Sequence, residues 1–253
     1  MQHYQQQFIE FLVKNQALQF GDFTLKSGRS SPYFINTGVF ETGEAIAKLG
    51  YFYASLIKDE FGDNFDVIFG PAYKGISLAV TTAISLNNDF GLNKFYTFNR
   101  KEIKDHGDKK ILVGHNLKNG DRVILIDDVI TDGKTKFETI ELINNLAKVE
   151  YKGLVIAVNR QEKTIEGIDA IANIKEKLKM PVKAIVSVRE IMEYLTDRKI
   201  DGSPRGTASL AVRLGSTESR RESGREGEAG QIYLTKEKAK EMENYLKEYE
   251  VKS

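Results

Sequence analysis

The run Val123-Ile-Leu-Ile-Asp-Asp-Val-Ile-Thr-Asp-Gly-Lys-Thr135 holds a dense set of residues able to do chemistry. Four apolar residues lead into Asp127 and Asp128, and Val129, Ile130, Thr131, Asp132, Gly133, Lys134 and Thr135 follow. The pattern predicts a strand, a turn and the start of a helix near Lys134. Successive side chains of a strand point to opposite faces, so the two carboxylates diverge. At least one of them can accept hydrogen bonds from sugar hydroxyls. A helix N-terminus leaves backbone N–H groups unpaired and carries partial positive charge, which favours a phosphate. Thr131 and Thr135 add hydroxyl donors, and Gly133 lets the backbone come close. The same residues also fit an ordinary strand–turn–helix with an N-capping threonine and solvated aspartates.

Other clusters follow other apolar runs. Gly70-Pro-Ala-Tyr-Lys-Gly75 joins a strand to a helix, and its backbone N–H groups with Lys74 can grip diphosphate. A plain Gly/Pro turn with a surface lysine fits as well. In Phe98–Gly107, Arg100, Lys101, Lys104 and His106 set three fixed cations and a titratable ring within seven residues. Glu102, Asp105 and Asp108 also allow a solvated charge run there. Arg160 lies in Asn159-Arg-Gln-Glu162 after another strand, and its planar fork suits a carboxylate. Gly-Lys-Thr is similar to the phosphate loop of nucleotide hydrolases. That loop needs glycine five positions before Gly133, where Asp128 stands, so the reading fails.

These residues need elements to place them. Phe8, Ile9, Leu12 and Val13 recur at helical spacing and predict an amphipathic helix over 4–18. A short strand ending in a turn follows over 20–29, and Ser30–Asn36 is extended because Ser31 precedes a proline. A second helix is predicted over 43–60. Strands at 65–69, 94–98, 123–126, 153–158 and 182–188 then alternate with helices to about Leu86 and from about Lys134 to Ala147. Short, nearly continuous apolar strands between helices predict an α/β fold with a mostly parallel central sheet and flanking helices. Ligands of such sheets bind beyond the carboxyl ends of the strands.

With 253 residues, 41% of them hydrophobic, the chain can form one large domain with a small appendage. Its net charge of +1 argues against a basic nucleic-acid binder. Without cysteine there is no disulfide framework and no zinc–thiolate site. No apolar run reaches the roughly 20 residues that span a bilayer, and Met1–Phe8 lacks the pattern of a signal peptide. A cytoplasmic protein with no membrane partner is expected. Residues 203–230 hold five of the eleven arginines, four glutamates, no lysine and no aromatic residue. They read as a disordered insert, since the near-zero net charge disfavours a nucleic-acid arm. A charged helix over 235–250 follows, with Met242, Tyr245, Leu246 and Tyr249 available for docking.

The apolar strand, Asp127-Asp128, two apolar residues, Thr131 and the Gly133 loop resemble the phosphoribosyl-diphosphate signature of the type I phosphoribosyltransferases. The resemblance implies that the acidic pair holds the donor ribose and that Val129–Thr135 holds its 5-phosphate. Asp132 and Lys134 depart from the small residues common there. Phe20-Gly-Asp-Phe-Thr-Leu-Lys-Ser-Gly-Arg-Ser-Ser-Pro-Tyr-Phe-Ile-Asn36 resembles the N-terminal hood of the orotate phosphoribosyltransferases. By that resemblance Lys26 reaches the diphosphate, as do Tyr73, Lys74, Arg100, Lys101, Lys104 and His106. Phe34, Ile35, Thr131 and Arg160 are implied to hold orotate, with Ile35 in place of a frequent second aromatic. Lys101, Lys104, His106 and Asp128 are the implied catalytic residues. The stretch around Arg100–Gly107 resembles a lid shared across a homodimer. Magnesium is implied, held mainly through the substrate and by no protein ligand directly. The expected organisation is a phosphoribosyltransferase domain over 1–200, with the hood at about 1–40 and the core at about 41–200. The insert at 203–230 and a C-terminal helix within 231–253 follow. A purine-specific enzyme and a non-catalytic donor sensor on the same fold are the competing readings. The hood and Arg160 speak against the first, and the lid cations against the second.

Overall fold

Strands that are apolar at every position must be covered on both faces, and this requirement organises the chain. The computed structural model describes residues 1–25, 28–101, 111–130, 134–164, 166–200 and 231–251, with the side chain of Lys134 outside that set. Expectations for Lys26, Lys104, His106, Thr131, Asp132, Gly133, the Lys134 side chain and residues 203–230 lie outside the described residues.

The chain opens with α1 (His3–Lys14), β1 (Leu18–Thr24) and β2 (Ser30–Ile35). α2 (Gly43–Phe61), β3 (Val67–Phe69), α3 (Lys74–Phe90), β4 (Phe95–Asn99) and β5 (Leu112–Gly114) come next. β6 (Arg122–Ile126), α4 (Lys134–Asn144), β7 (Glu150–Asn159), α5 (Ala170–Leu178) and β8 (Val182–Ser187) complete the alternation. α6 (Val188–Leu195), β9 (Lys199–Ile200), β10 (Gln231–Ile232) and α7 (Lys236–Tyr249) follow.

These elements form two compact units, Glu41–Val188 with Tyr249–Ser253, and Met1–Phe40 with Arg189–Glu248. Residues 189–200, assigned to the core on sequence grounds, thus group with the N-terminal segment, as does most of α7. In the larger unit six strands lie in the order β5-β4-β3-β6-β7-β8. All neighbours are parallel except β4 and β5. One face carries Val67, Phe69, Val123, Leu125, Leu154 and Ile156, which pack with Ile140 and Ile143 of α4 and Ile174 of α5. Ile68, Ile124 and Val155 alternate with them and are equally buried. α2 packs on α3 and against β7 and β8. Each fully buried side chain of this kind contributes about 1.5–3 kcal/mol.

In the smaller unit β1 and β2 pair antiparallel, with Leu18 opposite Ile35 and Gln19 opposite Phe34. Phe11 of α1 stacks on Phe40 with ring centroids 4.6 Å apart. The Tyr33 ring meets Tyr245 of α7 edge-on at 6.1 Å. Met242, Tyr245 and Leu246, expected to dock, are all buried.

Several elements differ from expectation. α1 ends at Lys14 because Asn15 Nδ2 donates to the Phe11 carbonyl at 2.8 Å and Gln16 takes φ 57°. The first strand covers 18–24, and the turn beyond it closes with Gly28 N donating to the Leu25 carbonyl at 2.9 Å. α3 runs on to Phe90, where Gly91 at φ 66° ends it. β5, α5, β9 and β10 were not anticipated.

The β9–β10 pair brackets residues 203–230. Ile200 faces Gln231 and Lys199 faces Ile232. Deleting 203–230 would leave only Asp201 and Gly202 between the paired residues, and Asp-Gly is a favoured two-residue hairpin connection. The shortened protein is expected to melt within about 4 °C of the parent, equivalent to ~1 kcal/mol for a chain of this size. Activity should stay within a few-fold. An inactive but folded deletion protein would show that the segment takes part in function.

Candidate active site

β4 lies on one side of β3 and β6 on the other, so the connections leaving these strands diverge. A crevice opens at such a switch point, beyond the carboxyl ends of the strands. β3 leads there into Gly70–Gly75, and β6 into Asp127 and Asp128. The two glycines of the first loop pack backbone to backbone. A Cβ on Gly70 would stand 1.9 Å from the Gly75 carbonyl oxygen, and one on Gly75 would stand 2.6 Å from the Gly70 carbonyl carbon. Asn99, at the end of β4, accepts from the Ala72 N–H at 3.0 Å and so ties this loop to the neighbouring strand. The Ala72–Tyr73 peptide bond is cis. Tyr73 is 70% exposed, and the Lys101 ammonium lies 5.6 Å from its ring centroid.

Two ion pairs organise the carboxylates. Lys74, at the start of α3, donates to Asp128 Oδ2 at 2.6 Å, bridging the two loops. The Val129 N–H donates to Asp128 Oδ1 at 2.8 Å. Asp127 turns to a different partner, the ammonium of Lys136 in the first turn of α4. Lys136 is only 5% exposed. Asp127 Oδ1 also accepts from the Asp128 N–H at 2.8 Å, and its carbonyl accepts from the Tyr53 hydroxyl at 2.8 Å. Burial pushes the Asp127 carboxyl above its ordinary range, Lys136 pulls it back, and the charge of Asp128 adds to the rise. The buried Tyr53 hydroxyl is raised well above its ordinary value, first by burial and then by the charges of Asp128 and Asp127. Of the rest of the loop, Val129 and Ile130 are partly buried and Thr135 is exposed on α4.

The ends of β4 and β7 supply two arginines. Arg100 N donates to the Ile111 carbonyl at 2.8 Å, while its buried Nε has no hydrogen-bond partner among the described residues. Arg160 donates through Nε and an Nη to Glu162 Oε1 at 3.2 and 2.8 Å. Residues 161–163 are in turn held by the C-terminal end of the chain. Val251 N donates to the Gln161 carbonyl at 2.9 Å, and Lys163 N to the Tyr249 carbonyl at 2.8 Å. Phe34 and Ile35 lie on β2 of the smaller unit, and Phe34 stacks with Phe23 at 5.6 Å.

The structure thus gathers Tyr73, Lys74, Arg100, Lys101, Asp127, Asp128 and Arg160 at strand ends of one sheet. Sequence reasoning missed Tyr53, Asn99, Lys136 and Glu162. Tyr53 and Asn99 carry no motif. Lys136 did leave a signal, because a cation in the first turn of a helix opposes the helix dipole and calls for an acidic partner. Among the described residues no group of three or more His, Cys, Asp or Glu is placed to hold a metal ion.

Comparison with known proteins follows the same lines. Residues 37–186 match the phosphoribosyl transferase domain family. The chain is 48% identical over 202 residues to an orotate phosphoribosyltransferase of Clostridium acetobutylicum, covering 80% of this chain and 90% of that one. A second, from Agathobacter rectalis, is 48% identical over 204 residues, with 80% and 90% covered. The crystal structure of orotate phosphoribosyltransferase from Francisella tularensis matches with a TM-score of 0.74 at 32% identity, covering 97% of this chain and 100% of that one.

Gly75→Ala tests the loop after β3. The added methyl meets the Gly70 backbone and Pro71 Cδ, so the loop must open. Affinity for inorganic diphosphate, measured by calorimetry, is expected to fall at least about tenfold, or ~1.4 kcal/mol. Far-UV circular dichroism should not change. Parental diphosphate affinity in this variant would remove the loop from the anion site.

Proposed function

The chain belongs to the orotate phosphoribosyltransferase family, and from that premise we propose how its residues divide the work. The family reaction, a step of pyrimidine biosynthesis, moves the 5-phosphoribosyl group from 5-phosphoribosyl 1-diphosphate to orotate. Orotidine 5-phosphate and diphosphate are the products. The observation that carries the reading is the Lys74–Asp128 pair, which joins the loops after β3 and β6 across the switch point. Donor binding exchanges the partners of both groups. Lys74 moves to the diphosphate, and Asp128, with Asp127 beside it, accepts from the ribose hydroxyls. The 5-phosphate lies on Val129–Thr135 at the N-terminus of α4, where backbone N–H groups favour it.

Bond breaking at the anomeric carbon passes through an oxocarbenium-like state, as in other glycosyl transfers. Negative charge grows on the departing diphosphate. Lys26, Lys74, Arg100, Lys101 and Lys104 stabilise it, and His106 hydrogen-bonds the leaving group or donates a proton to it. The unsatisfied Nε of Arg100 supports this assignment, since a buried donor without a partner is costly unless a ligand completes it. Bound magnesium supplies charge neutralisation on the diphosphate oxygens. Arg160, oriented by Glu162, pairs with the orotate carboxylate, and Phe34, Ile35 and Thr131 complete the orotate site. The stretch around Arg100–Gly107 closes over the neighbouring subunit of a homodimer and keeps water from the cation. In this reading the enzyme works in the cytoplasm, without a nucleic-acid or membrane partner.

Loss of orotate absorbance with added donor and magnesium tests the whole reading. Orotate-dependent diphosphate release is expected, and consumption of a purine base instead would overturn it. Arg160→Ala should raise the KM for orotate about ten- to a hundredfold, the size of one charge-assisted hydrogen-bonded contact. The donor KM should hold, even as loss of the Arg160–Glu162 pair lowers the melting temperature. Equal loss of both substrates would remove Arg160 from the orotate site. For Lys101→Ala, single-turnover kinetics should show turnover falling much further than donor affinity. Unchanged turnover would mean that the charged stretch does not serve the leaving group.

A further inference from the structure

We propose that Lys136 is a positioning residue of the donor site, holding Asp127 and tying together the two ends of the loop that faces the 5-phosphate. The inference rests on the family reading of that loop. Lys136 sits in the first turn of α4, where the helix dipole disfavours a cation. It is nonetheless 5% exposed, and burial of an ammonium is unfavourable without a partner. Among the described residues, the one charged partner that offsets these two unfavourable placements is Asp127.

The position of that pair gives it its role. Asp127 is the last residue before the loop, and Lys136 is the third residue of the helix after it. Asp127 is fixed from the strand side by three other contacts. Its N–H donates to the Val155 carbonyl at 3.0 Å, its carbonyl accepts from Tyr53, and its Oδ1 accepts from the Asp128 N–H. Lys136 is the contact that reaches it from the far end of the loop. The pair therefore fixes where α4 begins relative to the end of β6. Its ammonium also lies 3.5 Å from the hydroxyl of Thr135, a residue assigned to the phosphate. Without the pair the carboxylate would lose its orientation and the first turn of α4 its anchor.

A buried ion pair is not by itself needed for a stable core, because apolar replacement of both partners is often tolerated. That separates positioning from plain stability. The experiment uses the full-length protein with Lys136→Met, Asp127→Asn, the double variant and Lys136→Arg. The readouts are the KM for each substrate, kcat, and the rise in melting temperature caused by 5-phosphoribosyl 1-diphosphate alone. Lys136→Met is expected to raise the donor KM about ten- to a hundredfold, the scale of a roughly 1 Å misplacement, and to leave the orotate KM within about twofold. The donor-induced thermal shift should shrink with it. Lys136→Arg, which keeps the charge, should recover most of the loss. The double variant should be no worse than Lys136→Met, as expected for two residues acting through one contact.

A lower melting temperature with parental donor KM in Lys136→Met would overturn the proposal, and so would additive losses in the double variant. If Lys136→Met does not fold, the double variant decides, since it leaves no unpaired buried charge. It is compared with Asp127→Asn alone: an equal donor KM in the two supports a Lys136 that acts through Asp127, and a donor KM raised further in the double variant overturns the proposal. The parent protein separates the two levels of the argument. A parent that shows neither a donor-induced shift nor orotate-dependent diphosphate release overturns the family reading of the site. A parent that shows both, beside an unaffected Lys136→Met variant, overturns only the role of Lys136.

Discussion

The side-by-side pairing of β3 and β6 is the constraint on which the rest depends. β3 is buried at every position and β6 from Val123 to Ile126, and neither can hold a polar side chain there without a large desolvation cost. Polar chemistry is therefore pushed past the last apolar residue, to Gly70 after Phe69 and to Asp127 after Ile126. The register sets Phe69 beside Leu125, so both strands run out at nearly the same level. Their connections then turn away from each other. The loops that border the space between them supply both signs of charge. Asn99 and Arg100 enter from β4 on one side and Arg160 from β7 on the other.

The charges within this space are not equivalent. The Lys74 side chain is 61% exposed, whereas that of Lys136 is 6% exposed. The Asp128 side chain is itself only 11% exposed, so in this pair it is the lysine, reached by solvent, that can exchange its partner. Breaking a buried pair by removing one partner costs about 3–5 kcal/mol, because the other charge stays buried. The two aspartates of one motif therefore serve different ends. Asp128 holds a partner that a phosphate can take over. Asp127 holds one that must stay, and the Tyr53 hydroxyl on its carbonyl keeps the strand end in place.

Most of the sheet was legible in the sequence because its signal is one-dimensional. Apolar runs mark β3, β6, β7 and β8, and the candidate site residues lie just after β3, β4, β6 and β7. What escaped depends on three dimensions. Leu112–Gly114 is a three-residue antiparallel edge strand, too short for any periodicity to register. β9 and β10 pair across residues 203–230, so no local pattern joins them. Tyr53 lies on a helix whose apolar stripe hides it among core residues, and only the fold brings its hydroxyl to Asp127. Arg160 was legible as a strand-end cation, but its attachment to Glu162 and the grip of residues 249–251 on 161–163 were not. The N-cap of α5 is a different case. Asp169 accepts from the N–H groups of Ile171 and Ala172 at 2.9 and 3.0 Å, a local signal present in the sequence and not used.

The other end of the same two strands shows how the fold separates stability from chemistry. Before β3, Asp66 grips Arg122 at the start of β6, with Nε and an Nη donating at 2.9 and 2.6 Å to its two oxygens. The Arg122 N–H also donates to it at 2.9 Å. Hydrogen bonding to Arg122 holds the Asp66 carboxyl down at about 2. A carboxyl lowered in the folded state contributes stability above its unfolded value of 3.8, and that contribution is lost as pH falls toward 2. The clamp is about one-third exposed, so solvent screens it and its contribution is small. Its state stays constant throughout the neutral range. The carboxyl at the opposite end behaves in the reverse sense, since burial raises Asp127 while Lys136 and the Asp128 N–H pull it back. One pair of strands thus carries a carboxyl lowered by its partner at its entry and one raised by burial at its exit.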